Sequence, residues 1–166
     1  LKTCEEVTGR KPLKTGWSDT NKDDDKEPNY RSRLVAKEFK WMTRATGRAA
    51  LFAGTPPTEC LRVLVSLGVT REVRDKIVEE EEDPTEFLII DVRRAHFYAR
   101  ALRRVFVEMP KEDPRWDECQ GVAELLMSMY GTRDAAANWE ATYTAVLLVA
   151  GFVQGRASPC HFCHPA

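Results

Sequence analysis

An α+β fold with mixed strands, about two main helices and an incomplete sheet is what this 166-residue sequence predicts. Short β-branched and aromatic runs at Tyr30–Phe39, Phe87–Val92 and Val105–Pro110 have strand length. Two longer segments, one after Thr55-Pro56-Pro57 and one from Ala135 to Gly151, carry apolar residues at helical spacing. An apolar share of 43% is enough for a packed core in one domain or two small lobes.

Residues 1 to 17 mix charge with isolated apolar positions and offer one strand candidate, Leu13 to Trp17. Asp19 to Asn29 is polar and interrupted by Pro28, so it predicts a solvated turn. Its three adjacent aspartates have the donors for a hard cation, but an exposed charge run at a hairpin tip explains them without one. In Tyr30–Phe39, alternation puts Arg31, Arg33, Val35 and Lys37 on one face and Tyr30, Ser32, Leu34 and Ala36 on the other. The cationic face is either a charge-blunted strand surface or a strand facing phosphates.

Residues 41 to 57 lack a sustained period and read as a connection. Threonine then proline favours a helix start, because the hydroxyl caps free N–H groups and proline suits the first turn. Leu61, Leu64, Val65 and Gly68 define its face, continued by Val73 and Ile77, and the acidic run Glu79 to Asp83 with Pro84 ends it. Phe87 to Val92 then predicts a central strand buried on both faces, with Asp91 at its C-terminal end. A carboxylate there calls for a metal ion, an arginine or solvent at the strand's exit, and the metal is the favoured partner. Arg93 to Leu102 predicts a helical turn, Val105–Pro110 a strand, Lys111–Gly121 a polar loop and Val122–Met129 another strand. Ala135, Trp139, Tyr143, Val146, Leu147 and Ala150 predict a helix stopped by Gly151, which makes Trp139 and Tyr143 core residues. Phe152 and Val153 begin a last strand.

The net charge of −1 conceals segregated charge. Arg31, Arg33, Lys37, Lys40, Arg44 and Arg48 form one basic block, and Arg93, Arg94, Arg100, Arg103 and Arg104 another. Local patches set the field a polyanion meets, so net charge does not exclude a nucleic-acid partner. Five cysteines without framework spacing, and no signal peptide or long apolar span, predict free thiols in a reducing compartment. The expected location is intracellular, in cytoplasm or nucleus, neither secreted nor in a membrane. Leu1 at one end and a Cys/His/Pro run at the other read as ends cut from something longer.

Several blocks occur in a telling order: Tyr30-Arg31-Ser32-Arg33-Leu34-Val35-Ala36-Lys37, Asp91-Val92-Arg93-Arg94-Ala95-His96-Phe97, Val105-Phe106-Val107-Glu108-Met109-Pro110, Met129-Tyr130-Gly131-Thr132-Arg133-Asp134-Ala135, then Trp139 and Gly151-Phe152. This series resembles the reverse transcriptases (RNA-directed DNA polymerases) of copia-type LTR retrotransposons, whose blocks run K-A-R-L-V-A-K, D-V-x-x-A-F, V-Y-M-x-x-P, L-Y-G-L-K-Q-A-P-R-x-W and G-F. The likeness extends from about Trp17 to the C-terminus and implies the fingers and partial palm of a right-hand polymerase. Residues 1–57 and 99–133 would be fingers-like, and 58–98 and 134–166 partial palm.

The resemblance also implies roles. Asp91 would be a catalytic aspartate binding Mg2+ with the Val92 carbonyl, in a two-metal nucleotidyl transfer. Arg31, Arg33 or Lys37 would hold the triphosphate, with Arg94 nearby. Ala95 and His96 would lie under the nucleotide's sugar, His96 standing where the family usually has an aromatic. Tyr130 and Gly131 would touch nucleotide or template. The implied partners are RNA/DNA template-primer, deoxynucleoside triphosphates and the remainder of a retrotransposon polyprotein.

The family's aromatic-x-Asp-Asp hairpin is expected after Gly151-Phe152 and is not reached by Ala166. The family's Leu-Lys-Gln-Ala-Pro is here Thr132-Arg133-Asp134-Ala135-Ala136. An N-terminal polymerase fragment, inactive by itself, is therefore the expectation. Two alternatives stand beside it: a non-catalytic nucleic-acid-binding remnant of a decayed retroelement, and a small metal-binding module at Cys160-His161-Phe162-Cys163-His164. The simplest reading of Ser158 to Phe162 is a strand.

Overall fold

A computed structural model describes residues 2–39, 53–78, 88–156 and 158–165. In order along the chain these residues form α1 (Lys2–Thr8), β1 (Thr15–Asn21), β2 (Tyr30–Ala36), α2 (Thr58–Val78), a 3-10 turn (Ala95–Tyr98), β3 (Phe106–Glu108), β4 (Val122–Glu124), α3 (Ala135–Val149), β5 (Val153–Gln154) and β6 (Phe162–Cys163). Helices and small open antiparallel sheets are mixed, as an α+β fold requires. Two compact units arise: residues 1–53 with 94–146, and residues 54–93 with 147–166.

In the first unit β1 and β2 make an antiparallel hairpin with Thr15 opposite Ala36 and Asn21 opposite Tyr30. The strand at β2 thus forms where alternation predicts it, and β1 runs to Asn21, further into the polar stretch than expected. The remaining tip closes on side chains. Asn21 Oδ1 accepts from Asp23 N and Asn29 N, and Asp24 Oδ1 accepts from Lys26 N and Glu27 N. These bonds occupy Asn21 and Asp24 with backbone amides, as in an ordinary Asx turn.

Leu13 carries the sheet onward: its N–H donates to Phe106 O and its carbonyl accepts from Glu108 N, both at 2.8 Å. β3 in turn pairs with β4, Phe106 opposite Glu124. Ala36, Val105, Val107 and Met129 form the buried core, flanked by Leu13, Leu34, Ala123 and Leu125. Leu34 and Ala36 share the face that alternation separated from the arginines and join the core, whereas Tyr30 and Ser32 at the far end of that face are exposed and Arg31 and Arg33 on the other are half-buried. The expected Val122–Met129 strand is shorter than predicted and ends at Glu124; beyond it Met127 forms a bridge with Arg100, and Leu125 N and Ser128 N donate to Val105 O and Ala99 O.

α3 begins at Ala135 and stops before Gly151, whose φ of +93° suits a glycine after a helix. Trp139 and Tyr143 are half-buried and pack on each other with ring centroids 5.6 Å apart, instead of being enclosed in the core. In the second unit β5 pairs antiparallel with β6, Val153 opposite Cys163.

Two expectations are corrected there. Leu88, Ile89 and Ile90 belong to no strand and are 75%, 74% and 60% exposed, so no doubly buried central strand exists among the described residues. An apolar run becomes a strand only where neighbouring chains complete its hydrogen bonds, and no described segment pairs with this one. α2 starts at Thr58, directly after Thr55-Pro56-Pro57, with Pro57 O accepting from Cys60 N and Leu61 N. Its expected apolar face is not buried: Leu61 and Val65 are exposed, as are Val63, Leu67 and Val69. Apolar residues lie all round this helix, and no single stripe selects a buried side. The acidic run Glu79 to Asp83, Phe87, most of the 41–57 connection and the side chains of Val73 and Ile77 lie outside the described residues. Among the described helices none is long and apolar enough to cross a membrane.

Candidate functional site

The first unit gathers several sequence-predicted residues around the Tyr130–Gly131 turn. Gly131 has φ +88°, and a Cβ there would overlap the Ala36 carbonyl oxygen and lie 2.9 Å from its carbon. Only glycine permits this approach of turn to strand. The approach is closed by two backbone bonds, Ala36 N to Tyr130 O at 2.8 Å and Glu38 N to Gly131 O at 3.4 Å. Tyr130 is thereby fixed at the end of β2.

Three side chains meet the Tyr130 ring. His96 and Phe97, from the 3-10 turn, pack against it edge to face at 4.8 and 5.5 Å between centroids. Arg33, from β2, places its guanidinium carbon 5.9 Å from the ring centre, within cation–π range. The turn that delivers His96 starts at Arg94, whose φ of +59° is left-handed, and Ala95 follows it half-buried. His96 Nδ1 is buried and has no hydrogen-bond partner among the described residues.

The β1–β2 register puts Arg31 and Arg33 on the face shared with Gly16. Lys37 completes this face: a Cβ on Gly16 would sit 2.6 Å from its Cε and Nζ, so the lysine stem lies across the space the glycine leaves. Arg31, Arg33 and Lys37 are thus one cationic surface, with no acidic residue of the hairpin on that face between Gly16 and Thr20. Next to Arg33 stands the aromatic group of Tyr130, His96 and Phe97. A guanidinium suits phosphate and an aromatic ring suits a base or sugar, so the combination fits a nucleotide.

Arg103 stands in the second basic block and Asp134 in the turn motif, but their pairing with each other and with Glu38 was not legible in the sequence. Arg103 donates from Nε to Asp134 Oδ2 at 2.9 Å and from Nη2 to Asp134 Oδ1 at 2.8 Å, a two-toothed fork. Its Nη2 also reaches Glu38 Oε2 at 2.5 Å. The Glu38 carboxylate is 2% exposed and accepts Arg133 N at 2.9 Å as well. Burial alone would lower the Arg103 pKa, but the bonds to Asp134 and Glu38 outweigh it and raise the value. Burial would likewise raise the Asp134 carboxyl, yet Arg103 holds it below the usual aspartate range. Sequence carried only a faint signal of this fork, namely an arginine block, one acid just past the Tyr30–Lys37 block and one inside the Met129–Ala135 block.

Asp91 and Val92 belong to the second unit, with Asp91 exposed and Val92 half-buried. Asp91 offers one hard carboxylate, a suitable donor for magnesium, but a two-ion site requires several. Among the described residues no group of three or more His, Cys, Asp or Glu side chains is placed to hold a metal. The described residues therefore do not by themselves make a two-magnesium centre. The Cys/His run takes another form: Cys163 lies in β6, and the His164 ring packs edge to face on Phe152 at 5.1 Å. No disulfide joins any of the five cysteines.

The family model described as reverse transcriptase (RNA-dependent DNA polymerase) matches residues 2–165. The chain belongs to the reverse transcriptase family. No curated protein and no solved structure matches it.

Proposed function

We propose that this chain supplies the nucleotide-facing part of an RNA-directed DNA polymerase encoded in a copia-type retrotransposon polyprotein. Its partners are RNA/DNA template-primer and deoxynucleoside triphosphates. Residues 1–57 and 99–133 act as fingers, and 58–98 and 134–166 as part of the palm. The observation that carries this reading is the Tyr130 group with Arg33 over the ring and Arg31 and Lys37 on the same hairpin face.

Each residue has a defined task. Arg31, Arg33 and Lys37 neutralise phosphates, Arg33 being held by the tyrosine ring so that less side-chain freedom is lost on binding. Tyr130 and His96 form the wall against base or sugar, and Gly131 lets that wall stand close to the strand. Ala95 is small enough to leave room beneath the nucleotide, and the neighbouring Arg94 adds positive charge. Asp91, with the Val92 carbonyl, contributes one carboxylate ligand for Mg2+. That ion supplies charge neutralisation at the reacting phosphate.

Salt-dependent binding of a labelled primer–template tests the proposal. The affinity should fall steeply with salt, and Arg31→Ala, Arg33→Ala and Lys37→Ala should each reduce the log–log slope by about one. Binding that is absent or insensitive to salt would sink it. The same basic face supports a second reading, a non-catalytic nucleic-acid-binding remnant. Binding of dATP separates the two, because the described residues should support no primer extension above background: dATP binding alongside the primer–template supports the polymerase part, and nucleic-acid binding without dATP binding supports the remnant.

A further inference from the structure

We infer that Arg103 is a positioning residue for the Tyr130–Gly131 wall, acting through the carboxylates of Glu38 and Asp134 and touching no nucleotide itself. The inference rests on the nucleotide reading of that wall. Its basis is a chain of contacts across three segments distant in sequence. Arg103 grips Asp134, which directly precedes α3, through two parallel bonds, and with the same Nη2 it holds Glu38, just past the end of β2. Glu38 in turn grips the wall from both sides. Its carboxylate takes the Arg133 N–H, and its own N–H donates to the Gly131 carbonyl.

The turn from Tyr130 to Asp134 is therefore tied at Tyr130 O, Gly131 O, Arg133 N and the Asp134 side chain. Two of the four ties run directly through Glu38 and one through Arg103. Glu38 is too deeply buried to remain charged at low cost without the guanidinium, since a carboxylate 2% exposed has almost no water to replace it. Without Arg103 it would turn outward to water, and that change releases the Arg133 amide. Asp134 is one of the positions where the chain departs from the family's Leu-Lys-Gln-Ala-Pro run. The fork thus belongs to this chain's own version of the turn. An ammonium is a point charge and cannot make the fork and the third bond together.

Two readouts on the full chain test the inference: the dissociation constant for dATP, and hydrogen exchange at the Arg133 amide. Arg103→Ala should weaken dATP binding by about tenfold or more and speed Arg133 exchange by a similar factor, as loss of a supporting partner does elsewhere. Arg103→Lys should recover less than half of either change on a logarithmic scale. Val105→Ala, a core truncation in the same unit, should lower the melting temperature and leave the dATP constant unchanged, which separates positioning from general loosening. If Arg103→Ala does not fold, Asp134→Asn, which keeps one oxygen for the guanidinium, should show both effects at smaller size. Should wild type fail to bind dATP, the nucleotide reading falls, and Arg133 exchange alone decides the role of Arg103. Unchanged exchange in Arg103→Ala, or tenfold weakening by Val105→Ala as well, overturns the inference.

Discussion

Gly131→Ala probes the step on which the site depends, the seating of the turn on β2. Two costs add. The first is conformational: φ +88° lies where an L side chain costs about 1–2 kcal/mol. The second is steric: the new methyl would overlap Ala36 O and stand 3.0 Å from Ala36 N, both backbone atoms that no rotamer change can move. The turn must back away, stretching the 2.8 Å bond from Ala36 N to Tyr130 O, and a buried backbone pair pulled apart costs about 1–3 kcal/mol. The sum is about 2–5 kcal/mol, or roughly 5–15 °C in melting temperature for a chain of this size.

Gly9→Ala serves as the internal control. Its φ is +64°, but nothing lies within 4 Å of the added Cβ, so only the conformational cost of about 1–2 kcal/mol applies. Urea and thermal unfolding followed by tryptophan fluorescence would measure both variants. Equal losses for Gly9→Ala and Gly131→Ala would refute the reasoning, because the close approach of turn to strand would then have no energetic consequence.

Acid should expose the Arg103 fork. The Asp134 carboxyl lies below its unfolded-state value, so its contribution is complete above about pH 4 and disappears as pH falls through the folded value. The wild type minus Asp134→Asn difference in unfolding free energy should shrink as pH falls below about 4, and a difference that grows on acidification contradicts it. Subtracting the variant also removes Asp113 and Glu124, carboxyls that their arginine partners lower in the same direction. A buried polar pair offers a different check. Asn138 Nδ2 donates to Ser128 Oγ at 3.0 Å with both residues almost inaccessible, so Asn138→Ala should cost about 1–3 kcal/mol. The double variant with Ser128→Ala should cost less than the sum of the two singles, and strict additivity in the cycle would show the bond to be idle.

What the sequence alone determined here is local. Tyr30–Ala36 alternates cleanly, Thr55-Pro56-Pro57 punctuates the start of a helix, and Ala135 to Gly151 has both helical spacing and a stop, and each element stands where those signals put it. The ordered motifs also carried the family, since they are short strings read without reference to folding. Tertiary structure decided the rest. Leu88 to Ile90 has strand composition but no described partner, and strand formation depends on hydrogen bonds that only another segment can complete. The even distribution of apolar residues around α2 left its buried side undetermined for the same reason: burial belongs to a neighbour, not to a periodicity. Arg103 reaches Glu38 across 65 positions and Asp134 across 31, and no spacing rule pairs residues that far apart. The surface proposed to face the nucleotide lies between these extremes. Its cations were legible as an alternating strand, while the wall they face exists because Gly131 lets one backbone lie against another.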